Sequence, residues 1–198
     1  MKRLFDVVLS ATGLVASLPV SLAIAAAIRL DDGGPVLFTQ TRVGQGGRLF
    51  RTFKFRSMRV GSERVAVPAA EDDPRITRVG RLLRATAMDE LPQLWNILRG
   101  DMSFVGPRPL ADGEIEVGDA GAVVPLADIT GYHDRHAVRP GLTGLTQVHA
   151  SRDLSRRDKF RLDRLYVRHA SFCFDLRLVL LSFWITARGR WEDRGRKF

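Results

Sequence analysis

Cysteine is almost missing from this chain. Cys173 stands alone among 198 residues, so no intramolecular disulfide can form and a bridge-stapled secreted scaffold is excluded. A reducing compartment fits. Lysine is scarce as well: the 31 basic residues divide into 27 Arg and 4 Lys, which against 22 acidic residues leaves a net charge of +9. Arg offers a planar fork of donors that grips phosphate oxygens in pairs, so the bias points to phosphate-bearing ligands. No G-x-x-x-x-G-K-[ST] or G-x-G-x-x-G occurs, no Cys/His metal spacing, and no Ser, His or Cys in a nucleophile motif. Asp-x-Asp is absent too, which counts against enzymes that hold a metal-nucleotide with such a pair. What remains is 45% hydrophobic and 27% charged, the balance of a packed chain with room for one domain rather than of a disordered one.

Residues 7–28 run for 22 positions without a charge, between Lys2, Arg3 and Asp6 on one side and Arg29, Asp31 and Asp32 on the other. About 20 apolar residues in a helix match a hydrocarbon core roughly 30 Å thick. Three arrangements fit the run. A signal peptide would need a shorter apolar stretch and a small-residue cleavage site, for which Ala25 to Ala27 could serve. A spanning helix must accommodate Pro19 near its centre, where the ring deletes a backbone hydrogen bond and forces a kink. Basic residues at both ends favour the third, a re-entrant helix that bends at Pro19 and returns to the face it entered.

Beyond the run, residues 35–43 and 49–58 flank the cluster Gly44, Gly46, Gly47 and read as a β-hairpin, with Phe53 and Phe55 on one face and Lys54 and Arg56 on the other. Residues 61–73 read as a loop. Ile76, Val79, Leu82 and Leu83 then fall at helical spacing, and a second helix is expected from Met88 to Leu98, stopped by Gly100. Gly106-Pro107-Arg108-Pro109 follows a short apolar strand and holds Arg108 between two rings that fix the backbone. Residues 110–128 lack periodicity and read as a surface loop. Arg139-Pro140-Gly141-Leu142-Thr143-Gly144 is another rigid turn, leading into an expected strand at residues 145–148. Ser155 with Asp158 resembles a capping box opening a helix whose Phe160, Leu162, Leu165 and Tyr166 oppose six cations between Arg156 and Arg168. The last apolar segment, residues 178–187, is too short to span and suits a core or interfacial helix.

The chemistry centres on Asp89-Glu90. A free aspartate has a pKa near 3.9, so at neutral pH it can attack without a general base. Its natural targets are phosphoryl groups, and two unit charges 4 Å apart repel by roughly 4 kcal/mol at an effective dielectric of 20. Cations must cancel that repulsion. Lys54, Arg56, Arg84, Arg108 and Arg139 are the candidates, together with a divalent metal on Glu90. An adjacent Asp-Glu pair also serves as a plain helix cap.

Residues 73–109, DPRITRVGRLLRATAMDELPQLWNILRGDMSFVGPRP, resemble the signature of the bacterial sugar transferases, the monotopic phosphoglycosyl transferases that begin glycan assembly on a polyprenyl carrier. PVLFTQTRVG, FKFRSM, RPGLTGLTQV and a Tyr-Val before the final apolar segment fall in the same order, so the likeness covers about residues 1–109 and 131–190. The size is similar to that of the minimal members. The resemblance implies that Asp89 attacks the β-phosphorus of a UDP-sugar, expels UMP and carries the sugar phosphate to polyprenyl phosphate. It also implies that Glu90 helps bind Mg²⁺, that Arg84 and Arg108 hold phosphates, and that Lys54, Arg139 and Gln147 line the site. Two positions depart from the pattern: Leu18-Pro19 stands where members often carry Ser-Pro, and Leu145 where a Trp often follows the second turn.

The expected protein is therefore α+β, with a re-entrant membrane helix over residues 1–30 and a cytoplasmic catalytic domain over residues 31–198 made of helices, a β-hairpin and short strands. It would sit on the cytoplasmic face of a bacterial inner membrane against anionic inner-leaflet lipids. A membrane-tethered or exported basic protein that binds nucleic acid is the alternative, since +9 with many arginines also suits a phosphate backbone, although no recognition motif is present.

Overall fold

The computed structural model describes residues 1–62, 73–117, 123–151 and 154–188. The uncharged run forms two helices, α1 (Lys2–Ala16) and α2 (Leu18–Asp32), bent by 58° at Ser17. Pro19 sits in the first turn of α2, where its missing N–H would have had no partner. Its ring would strike the carbonyl four residues back, so the break falls in the preceding turn rather than at the proline itself. No single helix among the described residues is long and apolar enough to cross a membrane, while the bent pair together is. Leu4, Val8, Val15, Leu18, Leu22 and Leu30 are exposed along it.

Both ends of the pair are fastened to the rest of the fold. Lys2 Nζ donates to Val105 O at 3.0 Å and to Asp175 Oδ2 at 2.5 Å. The Arg3 guanidinium donates to Ile97 O and Leu98 O at 2.6 and 2.7 Å. Buried Asp6 accepts from Ser103 Oγ and the Phe104 N–H through Oδ1. At the far end Asp32 takes both terminal nitrogens of Arg56, and Asp31 accepts from the Val79 N–H at 3.2 Å. The expected division near residue 30 is thus crossed by polar contacts, and Phe5, Leu9 and Leu14 pack on the main core.

The hairpin pairs β1 (Leu37–Val43) with β2 (Leu49–Phe55) in antiparallel register from Leu37 opposite Phe55 to Val43 opposite Leu49. Phe55 packs with Ile24, Ile28 and Leu83, so the hairpin shares a core with α2 and α3 (Arg78–Ala85). Thr77 caps α3 by accepting from the Gly80 N–H. Most of the loop expected over residues 61–73 lies outside the described residues. The single helix expected from Met88 to Leu98 is two pieces: a 3₁₀ turn at Met88–Glu90, then α4 (Gln93–Arg99), which ends on Gly100 at φ 97°. Pro92 has no N–H to carry one ladder through both.

Next come β3 (Ser103–Val105) and β4 (Leu110–Ala111), the latter joining the free edge of β1. The segment expected to be plain loop contains a small hairpin of β5 (Ile115–Val117) and β6 (Val123–Pro125), whose connection at residues 118–122 lies outside the described residues. After α5 (Tyr132–Arg135), β7 (Gly141–Thr143) runs parallel to β3. The expected strand at residues 145–148 is instead a short helix, α6 (Leu145–His149); the strand lies one turn earlier, inside the Arg139–Gly144 turn. Backbone approach there leaves no room for side chains: a Cβ on Gly106 would lie 2.3 Å from Arg139 O, and one on Gly141 2.0 Å from Gly106 N.

The chain closes with α7 (Arg156–His169) and α8 (Phe172–Ala187). Ser155 accepts from the Asp158 N–H at 3.1 Å, as the capping box predicts. On α7 the inward set is Phe160, Asp163 and Tyr166, and Leu165, expected inward, is exposed. The last helix begins six residues earlier than its apolar segment, because Ser171 caps it by accepting from the Phe174 N–H. Val105, Val148, Tyr166, Leu178 and Ile185 meet Leu94 and Ile97 in the main core. Phe172, Leu176, Leu180, Phe183 and Trp184 are left exposed along α8.

Candidate active site

Asp89 and Glu90 reach their positions through a strained backbone. Ala87 adopts φ 55°, the one described non-glycine residue in the left-handed region, and turns the chain out of α3 into the 3₁₀ turn. Both carboxylates then face Lys54, next to last in β2: its ammonium lies 2.5 Å from Glu90 Oε1 and 3.9 Å from Asp89 Oδ2. Arg108 Nη2 stands 3.7 Å from the same Glu90 oxygen. These groups open on a cleft of about 760 Å³, within the usual size of small-molecule sites, which Arg84, Gln147, Arg156 and Lys159 also line.

The two carboxylates have different environments. Burial pushes Asp89 up from the ordinary aspartate value and the neighbouring Glu90 charge adds to this, although Lys54, Arg84 and Arg108 pull the other way. Burial would raise Glu90 as well, but the Lys54 and Arg108 charges and the Lys54 hydrogen bond outweigh it and hold that carboxyl below its ordinary range. Asp89 is therefore not the free aspartate that its sequence position suggests. The pair has one firmly ionised member and one whose charge is costly until a cation arrives.

Of the residues singled out from sequence, Lys54, Arg84, Asp89, Glu90, Arg108 and Gln147 line one cleft. Arg56 does not. It lies just past β2, buried, where its Nε donates to Pro35 O at 2.6 Å and its terminal nitrogens pair with Asp32. It locks α2 to the hairpin. Arg139 is half-buried and outside the cleft; its carbonyl, not its guanidinium, meets the Gly106 turn. Sequence reading missed Arg135 and Asp163, a buried ion pair in the cleft wall at 2.9 Å. One signal was present, because Asp163 lies three residues from both Phe160 and Tyr166 and therefore on the apolar face of α7. Arg156 and Lys159 entered the reading only as surface cations.

Acidic groups ringed by cations, in a cleft of an α+β body that exposes an apolar bent helix pair, define a class: enzymes that handle phosphate-bearing substrates. Within that class the chain belongs to the bacterial sugar transferase family, which matches residues 1–189. It is 42% identical over 186 residues to the exopolysaccharide production protein PSS of Rhizobium leguminosarum bv. phaseoli, covering 90% of this chain and 91% of that one. It is 40% identical over 190 residues to the UDP-glucose:undecaprenyl-phosphate glucose-1-phosphate transferase of Escherichia coli K12, covering 92% of this chain and 39% of the relative. A third relative, the UDP-N-acetylgalactosamine-undecaprenyl-phosphate N-acetylgalactosaminephosphotransferase of Aeromonas hydrophila, is 39% identical over 183 residues, 90% of this chain and 42% of that protein. The chain thus spans less than half the length of the last two.

Proposed function

We propose that this protein transfers a sugar 1-phosphate from a UDP-sugar to a polyprenyl phosphate, releasing UMP and starting assembly of a polysaccharide. The observation that carries the reading is the Asp89-Glu90 pair facing Lys54, Arg84 and Arg108 in a chain of this family. Two relatives that are named for sugar-1-phosphate or sugar-phosphate transfer to undecaprenyl phosphate support it. The nucleic-acid alternative has nothing comparable behind it.

An Asp89 carboxylate oxygen attacks the β-phosphorus of the UDP-sugar. The bond from that phosphorus to the bridging oxygen breaks, UMP leaves with the oxygen, and the sugar phosphate remains as a mixed anhydride on Asp89. A phosphate oxygen of the acceptor lipid then attacks the same phosphorus, and the carboxylate is freed as the sugar–diphosphate–lipid forms. Lys54 and Arg84 offset the repulsion between a carboxylate and a diphosphate, and Arg108, beside Glu90, binds the phosphate. The same cations favour the charged form of Asp89 against the burial that raises its pKa.

Mg²⁺ suits this donor set. Two adjacent carboxylates, Asp89 and Glu90, open on the cleft, and one or two carboxylates with substrate phosphates are the usual way in which Mg²⁺ is held. Glu90, with Asp89 beside it, would hold the ion, which when bound would neutralise diphosphate charge.

The protein would reside at the cytoplasmic face of the inner membrane, and the bent apolar pair supports membrane attachment. Lys2 and Asp32 are bonded to the same folded body, which supports a re-entrant segment with both ends on one side of a bilayer. Exposed Arg157, Arg161 and Arg168 on α7 would each add about 1 kcal/mol on an anionic inner leaflet.

The test is to incubate the membrane-bound protein with polyprenyl phosphate and a panel of UDP-sugars, and to identify the released nucleotide. UMP from one sugar is expected, with a sugar-phosphate adduct on Asp89 by mass spectrometry when acceptor is withheld. Asp89→Asn abolishes both while the protein stays folded in membranes. Release of UDP, or an adduct at another residue, overturns the reading.

A further inference from the structure

Five successive carbonyl groups, from Val105 to Pro109, each accept a hydrogen bond from elsewhere in the fold. Val105 O takes the Lys2 ammonium at 3.0 Å and lies 3.2 Å from the Tyr166 hydroxyl. Gly106 O accepts from Gln147 Nε2 at 3.4 Å and Pro107 O from the Gly141 N–H at 2.9 Å. Arg108 O accepts from Arg135 Nη2 at 2.5 Å, and Pro109 O from Arg42 Nη1 at 3.0 Å. Three of the donors are charged side chains from distant parts of the sequence. They are themselves oriented: Arg135 Nε binds Asp163 Oδ2 at 2.9 Å, and Asp163 Oδ1 accepts from Thr146 Oγ1 at 2.6 Å. Asp175 takes Lys2 at 2.5 Å and the Tyr166 hydroxyl at 2.7 Å. Asp163 and Tyr166 are one turn apart on α7, so one helix face braces both sides of the Arg108 turn.

Water could satisfy the carbonyls of a turn without burying any charge. Here an Arg–Asp pair with side chains only 2% and 4% exposed reaches one of them, and burial of such a pair is costly in itself. The result is that the Arg108 backbone is held at every carbonyl while its side chain, 54% exposed, projects into the cleft beside Glu90. A cation that must meet phosphate charge acts best when it needs no reorganisation, and a displacement of about 1 Å can cost a hundredfold in rate.

We propose that Lys2, Arg42 and Arg135, with Tyr166, Asp163 and Asp175 behind them, are positioning residues that hold the Arg108 guanidinium at the phosphate-binding end of the cleft. The inference rests on the assignment of Arg108 to substrate phosphate made above. Tyr166 touches nothing in the cleft and acts only through Asp175 and Lys2, the ammonium that donates to Val105 O.

The experiment is a double-mutant cycle on the full chain in membranes, with UMP release as the readout. Tyr166→Phe and Arg135→Lys are each made alone and in an Arg108→Lys background. Each alone lowers kcat/KM roughly threefold to tenfold. In the Arg108→Lys background the same change costs less than about twofold, because the group being positioned is already altered. Ile185→Val, in the core and not itself lining the cleft, lowers thermal stability and leaves kcat/KM unchanged. Equal losses in both backgrounds, no loss from Tyr166→Phe alone, or a matching loss from Ile185→Val overturns the inference and leaves the role of Asp89 untouched. Should Arg108→Lys turn over like wild type, the phosphate role of Arg108 falls, and this inference with it. Where Arg135→Lys does not fold, Tyr166→Phe still decides, since it removes a single oxygen and keeps the ring in the core.

Discussion

His136 has a titration that the proposed chemistry does not use. It is buried with its Nε2 unpaired, against Tyr132 at a ring-centroid distance of 4.6 Å. Burial, with the Arg135 charge beside it, pushes its pKa down to about 4. The native state thus favours the neutral ring, and between pH 6.5 and 4 the unfolded chain binds the extra proton. Stability is fully present above pH 6.5 and falls as the pH drops towards 4. The loss expected from this group is about 1–3 kcal/mol. Denaturant midpoints at pH 7.5, 6 and 4.5 measure the slope, and His136→Gln should flatten it. At the same scale, the acidic pair and the cations Lys54, Arg84 and Arg108 were legible because they lie within short recognisable strings. Arg56 and Arg139 were misplaced for a physical reason: a string fixes where a backbone goes, but whether a guanidinium faces a cleft or an aspartate depends on partners far along the chain. Asp32, 24 positions from Arg56, is such a partner.

Among the elements, the crossing of the Gly106 and Gly141 turns is the joint on which the cleft depends. The Gly106 N–H donates to Thr143 O, and the Gly141 N–H to Pro107 O, both at 2.9 Å. A methyl group at residue 141 would lie 2.0 Å from Gly106 N and 2.3 Å from Thr143 O, backbone atoms that cannot rotate away. Gly141→Ala should therefore cost about 3 kcal/mol or more, read from urea unfolding, and should lower UMP release along with it. Gly113→Ala makes a useful comparison: nothing lies within 4 Å there, and only its positive φ opposes the change. The hairpin, α3 and α7 were readable from alternation, helical spacing and a capping box. The helix α6 was not, because Thr146 and Val148 are β-favouring and the segment is only five residues long. Burial decides it: Val148 is fully buried in the main core and Thr146 bonds to Asp163, an arrangement that tertiary packing imposes over local preference. The small β5–β6 hairpin gave no periodic signal because its strands are three residues each.

At the level of the whole molecule, sequence supplied the apolar length and the proline, while the route of the chain came from contacts that no local pattern contains. Lys2 and Asp32 sit 30 positions apart and both bond to the same body. In a Cys173→Ser background, Leu4→Cys and Leu30→Cys place labels at exposed positions near the two ends. A membrane-impermeant maleimide added to intact cells should reach neither, and both should react once the cells are opened. Reaction of one and not the other in intact cells would mean that the pair crosses the bilayer. The fastening of both ends has a further consequence. Under the proposed function, a catalyst whose anchor returns to the face it entered would hand over its glycolipid with the sugar on that same face, and turning the headgroup over to the opposite leaflet would fall to a separate transport protein.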